Sequence, residues 1–146
     1  MEMAGKRAGY CIEDLRPDMA ASYSRKVTAE DIQKFGEVTG DFNPVHFDEA
    51  YARQTIFKGR VAHGLLATGY ISAVLGTKLP GAGAIFMSAT IRFKAPVRIG
   101  DEVTATCTVR EVIAAKRRVI CDCVCKVGET IVIDGEVMLM VPSRST

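Results

Sequence analysis

The stretch Ala62-His63-Gly64-Leu65-Leu66-Ala67-Thr68-Gly69-Tyr70-Ile71-Ser72-Ala73-Val74-Leu75-Gly76 decides the fold. It is apolar nearly all round a helix, which is typical of a buried helix rather than a half-exposed one. At about 15 residues it is shorter than the ~20 that a membrane span needs. Each interior glycine costs about 1 kcal/mol of helix propensity relative to alanine. The glycines therefore favour a helix that another backbone approaches closely, such as a sheet wrapped around it.

Downstream of this helix the hydrophobic period changes to two, which predicts β-strands. A sheet of strands joined by short connections is antiparallel. A long buried central helix wrapped by a curled antiparallel sheet is an α+β hot-dog fold. The free edge of such a sheet usually pairs with a second copy, so we expect a homodimer through sheet pairing. The predicted strands are Ile85 to Phe93, Val103 to Val109, Val119 to Val127 and Thr130 to Val141, the last with a bulge at Asp134-Gly135.

Upstream of the helix, the sequence predicts a short edge strand over Ser22 to Val27 and then a helix. Thr28 is a plausible N-cap of that helix, and Gly40 is a plausible left-handed stop. Ile32, Phe35 and Val38 are expected to form its apolar face. A second short helix is predicted over Asp48 to Arg53, capped by Asp48.

The loop between these two helices carries the residues suited to acid–base chemistry. It reads Gly40-Asp41-Phe42-Asn43-Pro44-Val45-His46-Phe47-Asp48 and contains one of only two histidines. Asp41 and His46 could act together on a water molecule, and burial by the two phenylalanines would raise the pKa of the carboxyl. Asn43 could orient the water or stabilise the turn. The alternative is ordinary turn chemistry, with His46 donating to a backbone carbonyl.

Three residues of the central helix add to this site. Gly64 lies at the helix N-terminus, where free N–H groups suit a developing negative oxygen. His63 precedes it, and we expect helix-start hydrogen bonding there rather than direct catalysis. Ser72, two turns on, is either a polar point near the pocket or bonded back to the helix carbonyls.

The chain has five cysteines, of which Cys121, Cys123 and Cys125 alternate along one predicted strand. This spacing puts all three on one face. Zinc sites prefer paired cysteines on turns, so we interpret these residues as core packing. The odd number argues against a disulfide framework and favours a reducing cytoplasm.

Composition limits the class of protein. The chain has 146 residues, 48% hydrophobic, 25% charged, with net charge +2. We therefore expect one domain over residues 10–146 behind a flexible tail at 1–9, with no affinity for nucleic acid or membrane. The N-terminal residues lack the apolar segment of a secretory signal.

The sequence resembles the (R)-specific enoyl-CoA hydratases, also called MaoC-like dehydratases. The resemblance covers roughly residues 10–142. It rests on five blocks: Thr39 to Asp48, Phe57 to Leu66, Leu75 to Gly81, Phe93 to Val97 and Gly100 to Val103.

The resemblance implies a hot-dog homodimer that reversibly hydrates trans-2-enoyl-CoA to (R)-3-hydroxyacyl-CoA. It further implies that Asp41 and His46 activate the water and that the Gly64 amide binds the thioester oxyanion. Asn43, His63 and Ser72 are then expected to contact substrate. Coenzyme A is part of the substrate, and no metal or other cofactor is expected.

Two rival functions fit the same fold: an acyl-CoA thioesterase and a non-catalytic acyl-CoA-binding subunit. The sequence leaves open the acyl chain length, the pathway (polymer synthesis, fatty-acid oxidation or biosynthesis) and the division of proton transfer between Asp41 and His46. The coenzyme A phosphates need cations, for which the candidates are Lys58, Arg60, Lys94 and Arg98.

Overall fold

The computed structural model describes residues 9–145, in which one short strand and four α-helices precede four long strands. Two short 3₁₀ helices, Ile12–Asp14 and Ala114–Lys116, complete the described elements. The predicted tail at residues 1–9 lies outside the described residues except for Gly9. The helices are α1 (Ala29–Thr39), α2 (Pro44–Phe47), α3 (Glu49–Arg53) and α4 (Gly64–Thr77), and the strands are β1 (Ala20–Lys26), β2 (Ile85–Phe93), β3 (Glu102–Ile113), β4 (Arg118–Val127) and β5 (Thr130–Met140).

All five strands belong to one antiparallel sheet in the order β1–β3–β4–β5–β2. The predicted edge strand is thus confirmed as β1, and the opposite edge is β2. Helix α4 packs on this sheet, chiefly against β3 and β1. The sheet does not close into a barrel. This arrangement is the predicted hot-dog fold.

The predicted bulge at Asp134-Gly135 is wrong. These residues pair without interruption with Arg92 and Ile91 of β2. A Cβ at Gly135 would collide with the carbonyl oxygen of Thr90. The glycine therefore permits close approach of two strands, which is the other common reason for glycine inside a strand.

The alternating cysteines lie in the core, as predicted. Cys107, Cys121, Cys123 and Cys125 are buried with free thiols, and Cys107 pairs across the sheet with Cys123. Burial raises the pKa of the Cys121 and Cys125 thiols to about 12. These thiols therefore stay protonated at neutral pH and pack as small apolar groups.

Helix α4 is not buried all round, contrary to the prediction. Its inward face includes Ile71, Val74 and Leu75, which are buried. Leu65 is 61% exposed, and the positions that follow on the same face, Gly69, Ser72 and Gly76, are also exposed. Apolar composition marks a face suited to packing, but it does not say whether the packing partner is in the same chain.

The apolar face of α1 is also narrower than predicted. Ile32 and Gly36, four residues apart, face the core, whereas Val38 is 84% exposed. The core-facing stripe is therefore set by an i, i+4 pair that includes a glycine.

Within residues 9–145, no helix combines the length and the hydropathy that crossing a membrane requires.

Candidate active site

Helix α1 delivers the chain into the loop that bears Asp41. Thr28 caps it by accepting a hydrogen bond from the Asp31 N–H at 3.0 Å, and the Asp31 carboxylate in turn pairs with Arg25 at 2.7 Å. At the other end Gly40 adopts φ 83°, a left-handed conformation that glycine tolerates without strain. Both predicted ends of the helix are confirmed, so the exit direction of the chain is fixed.

The Asp41 carboxylate is held by its own loop. Its Oδ1 accepts a hydrogen bond from the Asn43 N–H at 3.2 Å, and its backbone N–H donates to Thr39 Oγ1 at 3.2 Å. The residue is exposed in this chain, and so is Phe42. The predicted burial of the carboxylate by the two phenylalanines is therefore wrong for the single chain.

Residues 44–47 form a short helix, α2, where the sequence predicted only a turn. Asn43 is its N-cap, accepting from the Val45 N–H at 3.2 Å, and Pro44 occupies the first turn. Asn-Pro suits a turn and a helix start equally well, because proline's fixed φ is helical and it needs no N–H donor there. The helix places His46 one turn after the cap, on the same side as Asp41.

Within residues 9–145, one nitrogen of His46 is bonded to backbone and the other is not. Nδ1 lies 2.8 Å from the carbonyl oxygen of Val61. Because a carbonyl only accepts, Nδ1 carries the proton and Nε2 of the neutral ring keeps its lone pair. Burial is the main cause that lowers the pKa of His46, and His63 adds to it, against the opposing effects of the Val61 bond and Asp41. The contact with a backbone carbonyl is therefore confirmed for Nδ1, and a catalytic role for Nε2 stays a prediction.

The rings of Phe42 and Phe47 pack against α1 at Gly36 and support this loop. A Cβ at Gly36 would meet the Phe47 ring at 2.7 Å and the Phe42 ring at 2.9 Å. The two rings lie 5.1 Å apart. The glycine of α1 thus lets both rings pack on the helix, which anchors the segment between Asp41 and His46.

His63 lies at the centre of the site. Its Nε2 donates to the backbone carbonyl of Asp41 at 2.9 Å, and its ring is stacked on that of His46 with centroids 3.9 Å apart. The side chain makes no cap hydrogen bond at the start of α4. The expected helix-start bonding is therefore wrong.

Gly64 and the two histidines open onto one cleft of about 470 Å³. Gly64 is the first residue of α4, so its N–H has no carbonyl acceptor within the helix. A Cβ here would meet the Phe93 ring at 2.5 Å. The cleft is lined by Asp41, Asn43, Val45, His46, Phe57, Val61, Ala62, His63, Gly64, Leu65, Phe93, Lys94, Ala95, Pro96, Val97 and Ile133.

Five of the six predicted site residues thus meet at the cleft, and Ser72 does not. It lies on the exposed face of α4 that begins at Leu65, seven residues earlier. In the described part of the chain its hydroxyl makes no hydrogen bond back to the helix, unlike Thr68, which bonds the Gly64 carbonyl at 3.0 Å. A substrate-binding role for Ser72 stays a prediction.

No role was predicted for Phe57 and Phe93, which form aromatic walls of the cleft. Both belong to blocks of the family resemblance. In sequence, Phe93 reads only as one more alternating strand residue, because its contact with Gly64 joins distant segments.

Of the four candidate cations, two are engaged in the structure. Arg98 donates to the carbonyls of Gly59 at 3.1 Å and Arg60 at 3.3 Å. Arg60 Nε donates to the His46 carbonyl at 2.8 Å. Lys58 is exposed, and Lys94 lines the cleft. Lys94 is therefore the candidate best placed for an anionic group at the cleft.

Asp41, His46 and His63 also offer one donor atom each within 4.8 Å of one another, as a metal site would require. The histidine rings, however, are inclined by only 31° at 3.9 Å. A metal ion bound by histidine lies in the plane of the ring, about 2.1 Å from the nitrogen. Two ring planes so nearly parallel meet too far from both rings for one ion to satisfy this condition for both. The stacked pair is thus a poor chelate. That no metal is needed stays a prediction.

The fold is that of a hot-dog protein, and its cleft brings a carboxylate and two imidazoles to the N-terminus of a helix. The MaoC like domain model matches residues 15–130. The chain belongs to the MaoC-like dehydratase family.

The chain is 48% identical to the (R)-specific enoyl-CoA hydratase of Rhodospirillum rubrum, covering 90% of this chain and 92% of that protein. It is 46% identical to the 3-hydroxybutyryl-CoA dehydratase of Methylorubrum extorquens, covering 90% and 84%. The unliganded R-hydratase PhaJ1 of Pseudomonas aeruginosa matches with TM-score 0.86 and 38% identity, covering 93% of this chain and 88% of that one. The A. caviae (R)-hydratase involved in PHA biosynthesis matches with TM-score 0.85 and 32% identity, covering 89% and 99%. Like these relatives, the chain is an enzyme of the hydro-lyase class.

The lowered pKa of His46 predicts where acid inactivates the enzyme. A neutral ring is required for Nε2 to accept a proton, and the ring is neutral above its pKa, which lies below the ordinary 6.5. The acid limb of kcat/KM due to His46 should therefore have its midpoint below pH 6.5. By the same shift, the contribution of His46 to stability is complete above pH 6.5 and is lost as the pH falls through the folded-state pKa. A pH–rate profile checks this, and a midpoint above 6.5 would contradict it.

Gly64→Ala should lower kcat/KM about tenfold, because the added methyl displaces the Phe93 ring across the cleft and a small misplacement near reacting atoms is costly. Activity on an enoyl-CoA, with a thermal melt alongside, measures this. When Phe93 is already alanine, adding Gly64→Ala should cost little further activity, because the ring that the methyl would displace is gone. Unchanged activity in Gly64→Ala would show that the ring contact is irrelevant.

Proposed function

We propose that this enzyme reversibly adds water to trans-2-enoyl-CoA and forms (R)-3-hydroxyacyl-CoA. The observation that carries the proposal is the grouping of three features in one cleft: the Asp41 carboxylate, the imidazole of His46 and the N-terminal amide of α4 at Gly64. Relatives that share close to half of their residues with this chain are named for this reaction or its reverse.

Asp41 and His46 are spaced to hold a water molecule between them. A carboxylate oxygen of Asp41 and a ring nitrogen of His46 lie within 4.8 Å of each other. A water bridging two acceptors at ordinary hydrogen-bond lengths needs up to about 5.6 Å between them. A carboxylate oxygen of Asp41 and the free nitrogen of His46 are both acceptors, so each can receive one hydrogen of the water.

Addition then proceeds with balanced protons. The hydroxyl of the water adds to Cβ, its remaining proton passes to the Asp41–His46 pair, and a proton from the pair is delivered to Cα. Negative charge grows on the thioester oxygen meanwhile. The Gly64 N–H, at the positive end of the α4 dipole, stabilises that charge. Dehydration is the same path reversed.

The apolar cleft walls suit an acyl chain, and Lys94 supplies a cation for the coenzyme A phosphates. Coenzyme A enters as part of the substrate, and the mechanism uses no metal or other cofactor. We further propose a cytoplasmic homodimer in which a second copy pairs with the exposed β2 edge. The acyl chain lengths that the enzyme accepts would define its acyl preference and would bear on whether it serves polymer synthesis.

The test is an assay on crotonyl-CoA that follows loss of the enoyl absorbance, with the chirality of the 3-hydroxy product determined. Hydration to the (R) product supports the proposal. Release of free coenzyme A thiol at the rate of substrate loss would instead indicate a thioesterase. Binding without turnover across a series of enoyl-CoA chain lengths would indicate a binding subunit.

A further inference from the structure

The buried side chain of His63 has no part in the water-adding steps described above. It is 3% exposed, and one hydrogen bond and three ring contacts hold it in place. Nε2 donates to the Asp41 carbonyl, one face of the ring stacks on His46, and the Phe35 and Phe47 rings lie 4.6 and 5.6 Å away. It thus touches both members of the acid–base pair.

The remaining nitrogen of His63 shows that the ring is placed there at some cost. Nδ1 is buried and has no hydrogen-bond partner among the described residues. A buried polar atom left unpaired is destabilising. A phenylalanine would avoid this cost and still stack, so the donor on Nε2 must account for the histidine.

We propose that His63 is a positioning residue that holds Asp41 and His46 in register with each other, an inference that rests on the function proposed above. Its Nε2–H fixes the backbone of Asp41, 22 residues away in sequence. Its ring forms a flat support for the ring of His46, whose other anchor is the Val61 carbonyl. With both supports, the Nε2 of His46 keeps one direction relative to the carboxylate.

This role differs from the substrate contact that the family resemblance implies for His63. A side chain almost fully enclosed, with one nitrogen bonded to backbone, offers a ligand little surface. A positioning role predicts that substitutions act on kcat, because the groups that react are misaligned, and leave KM nearly unchanged.

Three variants separate the two supports. His63→Gln keeps an N–H donor close to the position of Nε2 and removes the ring. His63→Phe keeps a ring and removes the donor. His63→Ala removes both. We expect kcat on crotonyl-CoA to fall about tenfold in the first two and about 10²-fold in the third, with KM changed by less than about threefold. Unchanged kcat in His63→Ala, or a loss carried by KM, would overturn the proposal.

Imidazole NMR gives a readout that needs neither activity nor a variant of His63. The chain has only two histidines, so the spectrum holds two ring systems, assigned with His46→Asn. In the wild type we expect His63 as the Nε2–H tautomer and His46 as the Nδ1–H tautomer. A His63 ring protonated on Nδ1 instead of Nε2 would overturn the inference.

The kinetic and NMR experiments together distinguish failure of the inference about His63 from failure of the proposed function. In folded His63→Gln, loss of the stacked ring should shift the His46 ring-proton signals, and unshifted signals would count against the support. A wild type that turns over no enoyl-CoA while showing the expected tautomers would refute the hydratase function and leave the His63 geometry standing.

Discussion

Asp41→Asn should lower the rate of crotonyl-CoA hydration by about 10²–10⁴-fold, the range associated with loss of a general acid–base group. Asparagine retains an oxygen that can accept the Asn43 N–H bond now made to Oδ1. The loop should therefore keep its shape. What is lost is the negative charge and the ability to take a proton, so kcat should fall while the melting temperature stays within a few degrees.

Asp48→Asn is the matched control for Asp41→Asn. Asp48 lies seven residues on in the same segment, is exposed, and caps α3 by accepting the Tyr51 N–H at 3.1 Å. Asparagine is an equally good N-cap, so this variant should be as active as the wild type. Full activity in Asp41→Asn, or equal losses in the two variants, would remove Asp41 from the chemistry.

Replacing His46 should have an effect of the same size, about 10²–10⁴-fold, and two variants separate its two nitrogens. His46→Asn retains a donor close to the position of Nδ1 and can keep the bond to the Val61 carbonyl. His46→Ala loses both nitrogens and leaves that carbonyl unpaired. We expect equal losses of rate but lower stability in His46→Ala, by about 1–3 kcal/mol.

Steady-state kinetics and denaturant unfolding of the two His46 variants measure this. If His46→Asn kept more than a tenth of the wild-type rate, Nε2 would not be required, and His46 would be a structural residue.

The parts of the fold that sequence predicted correctly depend on local signals. The Thr28 cap, the Gly40 stop and the alternating cysteines each follow from spacing within a few residues. The same local rules explain the failures. Asn43-Pro44 can start either a turn or a helix, and Gly135 can mark either a bulge or a close approach. Only the neighbouring strand, 45 residues away at Thr90, decides which.

The site shows the same division between local and distant information. Asp41, His46 and Gly64 stand out in sequence because their residue types and spacing suit proton transfer and oxyanion binding. The contact of His63 with the Asp41 carbonyl, and of Phe93 with Gly64, join segments far apart in the chain. No local pattern reports such contacts. The apolar composition of α4 led to the wrong prediction that the helix is buried all round, because its apolar surface extends to a face that this chain leaves exposed.

The inward placement of the cysteines has a practical consequence for thiol reagents. Four of the five thiols are buried, and Cys11, near the start of the described residues, is partly accessible. A disulfide reagent added to the folded enzyme should therefore register about one protein thiol at most, which keeps the background low in the assay that distinguishes a hydratase from a thioesterase by release of coenzyme A thiol. Maleimide dyes should likewise label a single position, Cys11, which lies 53 residues before Gly64 at the start of α4 and gives the native enzyme one attachment point for fluorescence.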